Sequence, residues 1–189
     1  MSFFSFSKRF QGVADVFLRR PDTYRSLLDF LEEVMLGDSQ LSKEEREVLA
    51  ARVSALNGCE FCVQAHLATL AALGVSKAQL SSLESTACAV FGDSRFQRLI
   101  VFAERLTRAP DSINQRDIDG LKQAGFSEQA IEDAINVIAL FNYVNRLVDA
   151  FGVSGNPKYF EKVGQALAKH GCANLLPERL DAQSTRSTS

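Results

Sequence analysis

The chain has 189 residues, 46% of them hydrophobic and 23% charged, and its 21 Lys and Arg against 23 Asp and Glu give a net charge of −2. This length and composition predict a globular protein with one compact domain, or one domain with terminal arms. The charge balance argues against nucleic acid as a partner, and the lack of a run of about 18 apolar residues argues against a membrane span.

The Phe-rich N-terminus, MSFFSFSKRF, bears on the compartment. It has no leading basic segment, and Lys8 and Arg9 interrupt its apolar run, so it does not resemble a signal peptide and we expect a cytoplasmic protein. In a reducing compartment, the four cysteines of the chain point to redox chemistry or metal binding rather than to a framework of structural disulfides.

Nearly the whole chain has the pattern of α-helices separated by caps and breakers. Ser42 with Glu45, and Ser76 with Gln79, form capping boxes, in which each side chain satisfies a backbone N–H of the other residue. The predicted helices span residues 22–36, 43–56, 59–73, 81–90, 95–108, 115–124, 128–150 and 157–169.

These elements predict an all-α fold with an N-terminal arm over 1–20, a helical domain over 21–172 and a polar C-terminal tail over 173–189. The arm carries five phenylalanines, and helix 128–150 is apolar on nearly every side. A small helical domain cannot easily cover that much apolar surface. We therefore expect the arm to pack on its own core or on a neighbouring subunit, and the protein to be a homo-oligomer, built on dimers or extending to a trimer or hexamer.

The stretch NGCEFCVQAH, residues 57–66, carries the candidate chemistry. On a helix, Cys59, Cys62 and His66 share one face, so the two thiols are neighbours and the imidazole lies one turn beyond Cys62. A disulfide between the thiols would need little backbone movement, and a helix N-terminus favours the thiolate, most of all at Cys59. The stretch is therefore a candidate redox-active dithiol with a proton-transfer partner.

A fourth candidate, Glu47, follows from the turn at residues 57–58, where Asn and Gly both tolerate left-handed backbone. If this turn makes an α-helical hairpin, Glu47 lies level with His66. The set Glu47, His66 and Cys62 then forms a proton relay, in which the carboxylate orients the imidazole and the imidazole activates the thiol. The alternative is a surface glutamate paired with a basic neighbour such as Arg46.

Zinc binding and a non-catalytic role are the competing interpretations of the CxxC. A zinc site needs about four ligands, and the remaining candidates, Cys88, His170 and Cys172, are distant in sequence and form no second tight pair. A thioredoxin fold would need strands around the motif, and none are predicted. We assign no metal ligand and no cofactor, and expect Cys88 to be a small buried core residue. A helical oligomer whose CxxC binds metal or senses redox state stays open as the alternative.

A polar stripe of Asn142, Asn145, Arg146 and Asp149 runs along the otherwise apolar helix 128–150. One interpretation is an Arg146–Asp149 ion pair, worth about 1 kcal/mol or less if exposed, with the asparagines hydrogen bonding across helices. The other interpretation places an asparagine over the thiols or at a subunit seam.

The stretch LSKEEREVLAARVSALNGCEFCVQAHLATLAALG resembles the core motif of the carboxymuconolactone decarboxylase/AhpD-like superfamily. In that motif a glutamate stands twelve residues before a CxxC and a histidine four residues after it, which here are Glu47, Cys59, Cys62 and His66. The later stretch that ends in FNYVNRLVDAFGV resembles the peroxidase-related alkylhydroperoxidase subgroup. The resemblance covers roughly residues 20–155.

The resemblance implies an all-α, AhpD-like helical bundle with the CxxC at the N-terminus of a core helix. It also implies reduction of a peroxide substrate, in which Cys62 becomes a sulfenic acid and Cys59 resolves it as a disulfide, while Glu47 and His66 move the proton. A lipoylated or thioredoxin-like protein then reduces the disulfide. Decarboxylation is not implied, because that branch typically lacks the cysteine pair.

Two features of this sequence differ from the family pattern. The helix-dipole argument makes Cys59 the more acidic and exposed thiol, whereas the family assigns peroxide attack to Cys62, which has His66 one turn away. Phe61 stands where the best-known alkylhydroperoxidase has an additional histidine, so part of that proton network is absent.

Overall fold

A computed structural model describes residues 3–84 and 91–171 of the chain. Within these ranges it contains α-helices and short 3₁₀ turns and no β-strand, which confirms the all-α prediction. The predictions for Cys88, Cys172 and the polar tail fall outside the described residues. The helices are α1 (Val13–Arg19), α2 (Pro21–Leu36), α3 (Lys43–Asn57), α4 (Glu60–Ala72), α5 (Lys77–Glu84), α6 (Ser94–Arg108), α7 (Gln115–Gln123), α8 (Glu128–Phe151) and α9 (Pro157–His170).

Side-chain caps fix the helix starts. At α3 the Glu45 N–H donates to Ser42 Oγ at 3.1 Å and the Ser42 N–H donates to Glu45 Oε2 at 2.8 Å, which confirms the capping box. The start of α5 differs from the prediction near residue 81. It begins at Lys77, directly after the Ser76 cap, because the cap and not the apolar pattern decides where the backbone first turns helical.

The first helix, α1, is absent from the predicted elements. It has no side-chain N-cap, since Gly12 occupies that position, and the Asp15 carboxylate instead accepts from the backbone N–H groups of Gln11 and Gly12 at 2.6 and 3.2 Å. Val16 and Phe17 are buried in the main core. The Phe-rich start therefore packs on the chain's own core, which is one of the two expected arrangements.

The centre of the molecule is α3, which packs against α4, α6 and α8. Every residue from 46 to 54 is buried, charged residues included. The prediction that α8 is buried nearly all round is wrong, because α8 presents Glu132, Tyr143 and Arg146 to solvent. The helix enclosed on all sides is α3, whose short Ala and Val side chains let α4, α6 and α8 approach it.

The last helix, α9, lies along α4 and covers the CxxC helix. Its Gly164 permits close packing, since a Cβ there would lie 2.5 Å from the backbone carbonyl carbon of Ala68. Lys43 Nζ donates to the carbonyls of Leu167 and Ala168 at 2.9 Å each, and so caps the C-terminal end of α9. These contacts fix the position of α9 over α4. Among the described residues, no helix combines the length and apolar character that a membrane crossing requires.

Several aromatic side chains stay exposed despite the packing of the arm. Phe3, Phe30 and Tyr143 are exposed by 69%, 45% and 48%. Since aromatic side chains are enriched at protein interfaces, we expect an oligomer with a dimer as the minimum unit. Light scattering at micromolar concentration tests this, and a monomer mass of 20.8 kDa would contradict it.

Candidate active site

The site is built on the hairpin between α3 and α4. Gly58 turns the chain with φ +73°, in the left-handed region that favours glycine, and a Cβ there would meet nothing within 4 Å. The Cys59 N–H then donates to the Ser54 carbonyl at 3.0 Å. This places Cys59 at the N-cap of α4 and Cys62 in its first turn.

The two thiols lie together in the interior. Their sulfurs are 2.9 Å apart and unbonded, and the side chains of Cys59 and Cys62 are 0% and 4% exposed. A disulfide would require an approach of about 0.9 Å, to the usual bond length of about 2.05 Å. The Cα positions of one helical turn already bring the thiols this close.

The expectation that Cys59 is the more exposed and acidic thiol is wrong. Its pKa is raised, chiefly by the hydrogen bond with Cys62, then by burial, with a smaller contribution from a hydrogen bond with the Asp149 carboxylate. The helix-dipole argument assumes a sulfur that projects from the helix end into solvent, whereas the Cys59 sulfur points into the core. At neutral pH this thiol is protonated.

Glu47 and His66 meet across the hairpin, as the turn at residues 57–58 predicts. Glu47 Oε2 and His66 Nδ1 are 2.7 Å apart, and the two residues are 5% and 6% exposed. The ring of Phe141 stands nearly perpendicular to the imidazole, with centroids 4.4 Å apart. Because an ionised carboxylate only accepts hydrogen bonds, it favours a proton on Nδ1 and leaves Nε2 as the basic nitrogen.

The surface alternative for Glu47 is wrong. Arg46, its expected basic neighbour, is itself buried and donates to the carbonyls of Val34, Gly37 and Leu41 at 2.9 to 3.2 Å. It therefore closes the end of α2 rather than pairing with Glu47. Burial lowers the pKa of the Arg46 guanidinium, and three carbonyl acceptors offset the cost of that burial.

Glu47, Cys62 and His66 line one small pocket of about 70 Å³, whose remaining walls are almost entirely apolar. The structure thus brings three of the four predicted site residues to one cavity, with Cys59 directly behind Cys62. Within residues 3–84 and 91–171, no three His, Cys, Asp or Glu side chains are grouped closely enough to bind a metal ion.

The polar stripe of α8 supports the end of α3 that leads into the site. Asn145 is fully buried, accepts from Asn57 Nδ2 at 2.9 Å and donates to Ser54 Oγ at 2.9 Å. Ser54 Oγ in turn donates to the Ala50 carbonyl at 2.7 Å. The asparagines therefore do hydrogen bond across helices, and Asn145 ties α8 to the last turn of α3, directly before the hairpin turn.

Asp149 has a different environment from the one expected. The predicted Arg146–Asp149 ion pair is wrong, since the Arg146 guanidinium donates to the backbone and side-chain oxygens of Asn142. The Asp149 side chain lies at the exposed end of α8 instead.

The sequence and fold of this chain are similar to those of several known proteins. Residues 21–105 match the model of the carboxymuconolactone decarboxylase family. An uncharacterized peroxidase-related protein from Silicibacter sp. TM1040 is 31% identical, with 78% of each chain covered and a TM-score of 0.74. A second such protein, from Ralstonia eutropha JMP134 and described as having an alkylhydroperoxidase AhpD core, is 27% identical over 79% of this chain and 78% of that one, with a TM-score of 0.72. The uncharacterized protein YdfG from Bacillus subtilis (strain 168) is 22% identical over 132 residues, which is 70% of this chain and 88% of YdfG.

Removal of the Asn145 amide tests the support of the turn. Asn145→Ala removes one buried hydrogen bond from the Asn57 amide and one from the Ser54 hydroxyl oxygen, so we expect the free energy of unfolding to fall by about 1–3 kcal/mol in urea denaturation. Asn142→Ala is the matched control, since Asn142 is only half-buried and water can replace its bonds. Equal losses in both variants would contradict a special role for Asn145.

Proposed function

The chain belongs to the carboxymuconolactone decarboxylase/AhpD-like superfamily, and we propose that it is a cytoplasmic thiol peroxidase that reduces peroxides through a Cys59–Cys62 dithiol/disulfide cycle. The superfamily includes enzymes, and two structural relatives are described as peroxidase-related proteins. The observation that carries the proposal is the shared pocket of Glu47, Cys62 and His66, with Cys59 at 2.9 Å from Cys62.

The proton relay begins at Glu47. Its carboxylate holds Nδ1 of His66, so that Nε2 takes the Cys62 proton as the thiolate forms in the pocket. The buried carboxylate also stabilises the imidazolium that this transfer creates, in the way that a buried aspartate supports a catalytic histidine. The perpendicular Phe141 ring limits rotation of the imidazole.

Two steps then transfer two electrons from the thiols to the peroxide. The Cys62 thiolate attacks the terminal oxygen of ROOH: an S–O bond forms, the O–O bond breaks, and RO⁻ leaves as ROH with the proton from His66. The Cys59 sulfur next attacks the Cys62 sulfenic acid: the S–S bond forms, the S–O bond breaks, and the hydroxyl leaves as water with the Cys59 proton.

The environment of Cys59 suits the resolving role. A raised pKa keeps Cys59 protonated, so it does not compete with Cys62 for peroxide. This difference in environment favours Cys62 as the peroxide-reactive thiol, as the family resemblance implies.

An external dithiol closes the cycle. It donates two electrons and two protons to the Cys59–Cys62 disulfide and becomes oxidised itself. We propose a lipoylated or thioredoxin-like protein in this role, and a homo-oligomer as the working form.

Peroxide turnover with a panel of reductants tests the function. We expect peroxide consumption with a lipoylated protein, a thioredoxin or a small dithiol, and its loss in Cys62→Ser, because the serine hydroxyl is not a nucleophile at neutral pH. Peptide mapping after mild oxidation should find a Cys59–Cys62 disulfide. Turnover that survives Cys62→Ser, or a dominant disulfide to Cys88 or Cys172, would refute the proposal.

The Glu47→Gln variant tests the contribution of the Glu47 charge to the proton relay. The amide keeps the shape of the carboxylate but removes its charge, so oxidation of Cys62 should slow by about 10- to 1000-fold if general-base assistance is lost. The pH dependence of thiol alkylation should shift as well. Glu45→Gln is the control, because Glu45 bonds Ser42 and Arg95 at the start of α3 and should cost only about 1 kcal/mol or less of stability. Identical alkylation profiles for Glu47→Gln and the unmodified protein would refute the relay.

A further inference from the structure

The pocket at Cys62 has an outer wall that the proton relay does not use. Val13 and Phe17 of α1, and Tyr159, Val163 and Leu167 of α9, line it opposite Glu47 and His66. The wall combines residues from the two ends of the chain. It leaves a small space of about 70 Å³ beside Cys62.

Tyr159 packs tightly against α1 in this wall. Burial raises the pKa of its phenol to about 12. A Cβ at position 12 would lie 1.9 Å from the phenol oxygen, so only glycine leaves room for the phenol there. The neutral phenol is therefore held between α1 and the pocket.

Phe61 anchors the ring from the other side. Its ring centroid lies 5.6 Å from that of Tyr159 and 5.3 Å from that of Phe160, and Phe61 is 7% exposed. Tyr159 and Phe61 both line the Cys62 pocket, whereas Phe160 lines a separate open groove on the other side of Phe61. The two rings of α9 thus contact the same residue but only one of them bounds the space at Cys62.

We propose that the pocket selects small, uncharged hydroperoxides, such as hydrogen peroxide, and that Tyr159 is the residue that sets this size limit. The inference rests on the proposed function and names its substrate class. A hydroperoxide with an aromatic or long alkyl group exceeds the free space unless Tyr159 moves. An anionic peroxide would lose its hydration in an apolar pocket whose one acidic group, Glu47, repels it.

The first measurement is the ratio of the rate constants for oxidation of Cys62 by hydrogen peroxide and by cumene hydroperoxide. In the unmodified protein we expect this ratio to exceed that of a free thiol by about 100-fold, because the bulky peroxide cannot align with the sulfur. In Tyr159→Ala the ratio should fall by about 10- to 200-fold, the range over which pocket size discriminates substrates. Tyr159→Leu is the second enlarging variant should the alanine variant not fold. Tyr159→Phe, which keeps the ring, should retain the ratio.

Phe160→Ala is the matched control. It removes the other ring that packs on Phe61 but leaves the pocket wall in place, so its ratio should equal that of the unmodified protein. A ratio that falls equally in Phe160→Ala and Tyr159→Ala would show general loosening of α9 and overturn the assignment to Tyr159. Equal oxidation by both peroxides in the unmodified protein would overturn the size limit itself.

A second measurement separates failure of this inference from failure of the proposed function. Alkylation of Cys62, located by peptide mapping and normalised to the unfolded chain, should be faster with iodoacetamide than with the bulkier N-phenylmaleimide or the charged iodoacetate. In one outcome, no peroxide oxidises the unmodified protein, which still shows this ranking of alkylating reagents, and N-phenylmaleimide loses its disadvantage in Tyr159→Ala. In that case the peroxidase proposal fails and the pocket assignment stands. If the reagents do not differ, the pocket assignment fails whatever the turnover.

Discussion

The contact between the Glu47 carboxylate and the His66 imidazole is the constraint on which the rest of the site depends. A carboxylate that is 5% exposed is tolerated only with a strong partner, since an isolated buried charge costs several kcal/mol. The partner lies on the next helix, so α3 and α4 must pack in one register. That register also carries Cys62 to the same pocket, because Cys62 and His66 are one turn apart on α4.

The α3–α4 register is set at the turn and reinforced from α8. Gly58 provides the left-handed residue, and the Cys59 N–H bonds back to Ser54. Asn145 then joins Ser54 and Asn57 through one buried amide. This buried amide holds α8 against the end of α3 that leads into the turn, because a shift of either helix would break these hydrogen bonds.

Local signals in the sequence were sufficient to predict most helix limits and the position of Glu47 beside His66. The capping boxes at Ser42 and Ser76 are chemical features of single residue pairs, and each forms the predicted bonds. The hairpin argument for Glu47 needed only helix geometry and one turn. By contrast, α1 lacks a side-chain cap, and the charge state of Cys59 depends on where its sulfur points. The partners of Tyr159 are distant in the chain, and no single-helix pattern encodes such contacts.

The burial of both sulfurs divides the proposed cycle into two halves with different steric demands. A small peroxide needs only the pocket at Cys62, which is formed already. A protein reductant must bring its own sulfur to bonding distance of Cys59 or Cys62, about 2.05 Å, and these residues are 0% and 4% exposed. Reduction by a protein therefore requires displacement of the residues around the turn at 57–60 or of α9. In the proposed cycle, the oxidative half uses the pocket as it stands, and the reductive half depends on the α3–α4 turn or α9 opening in response to the disulfide or to the partner.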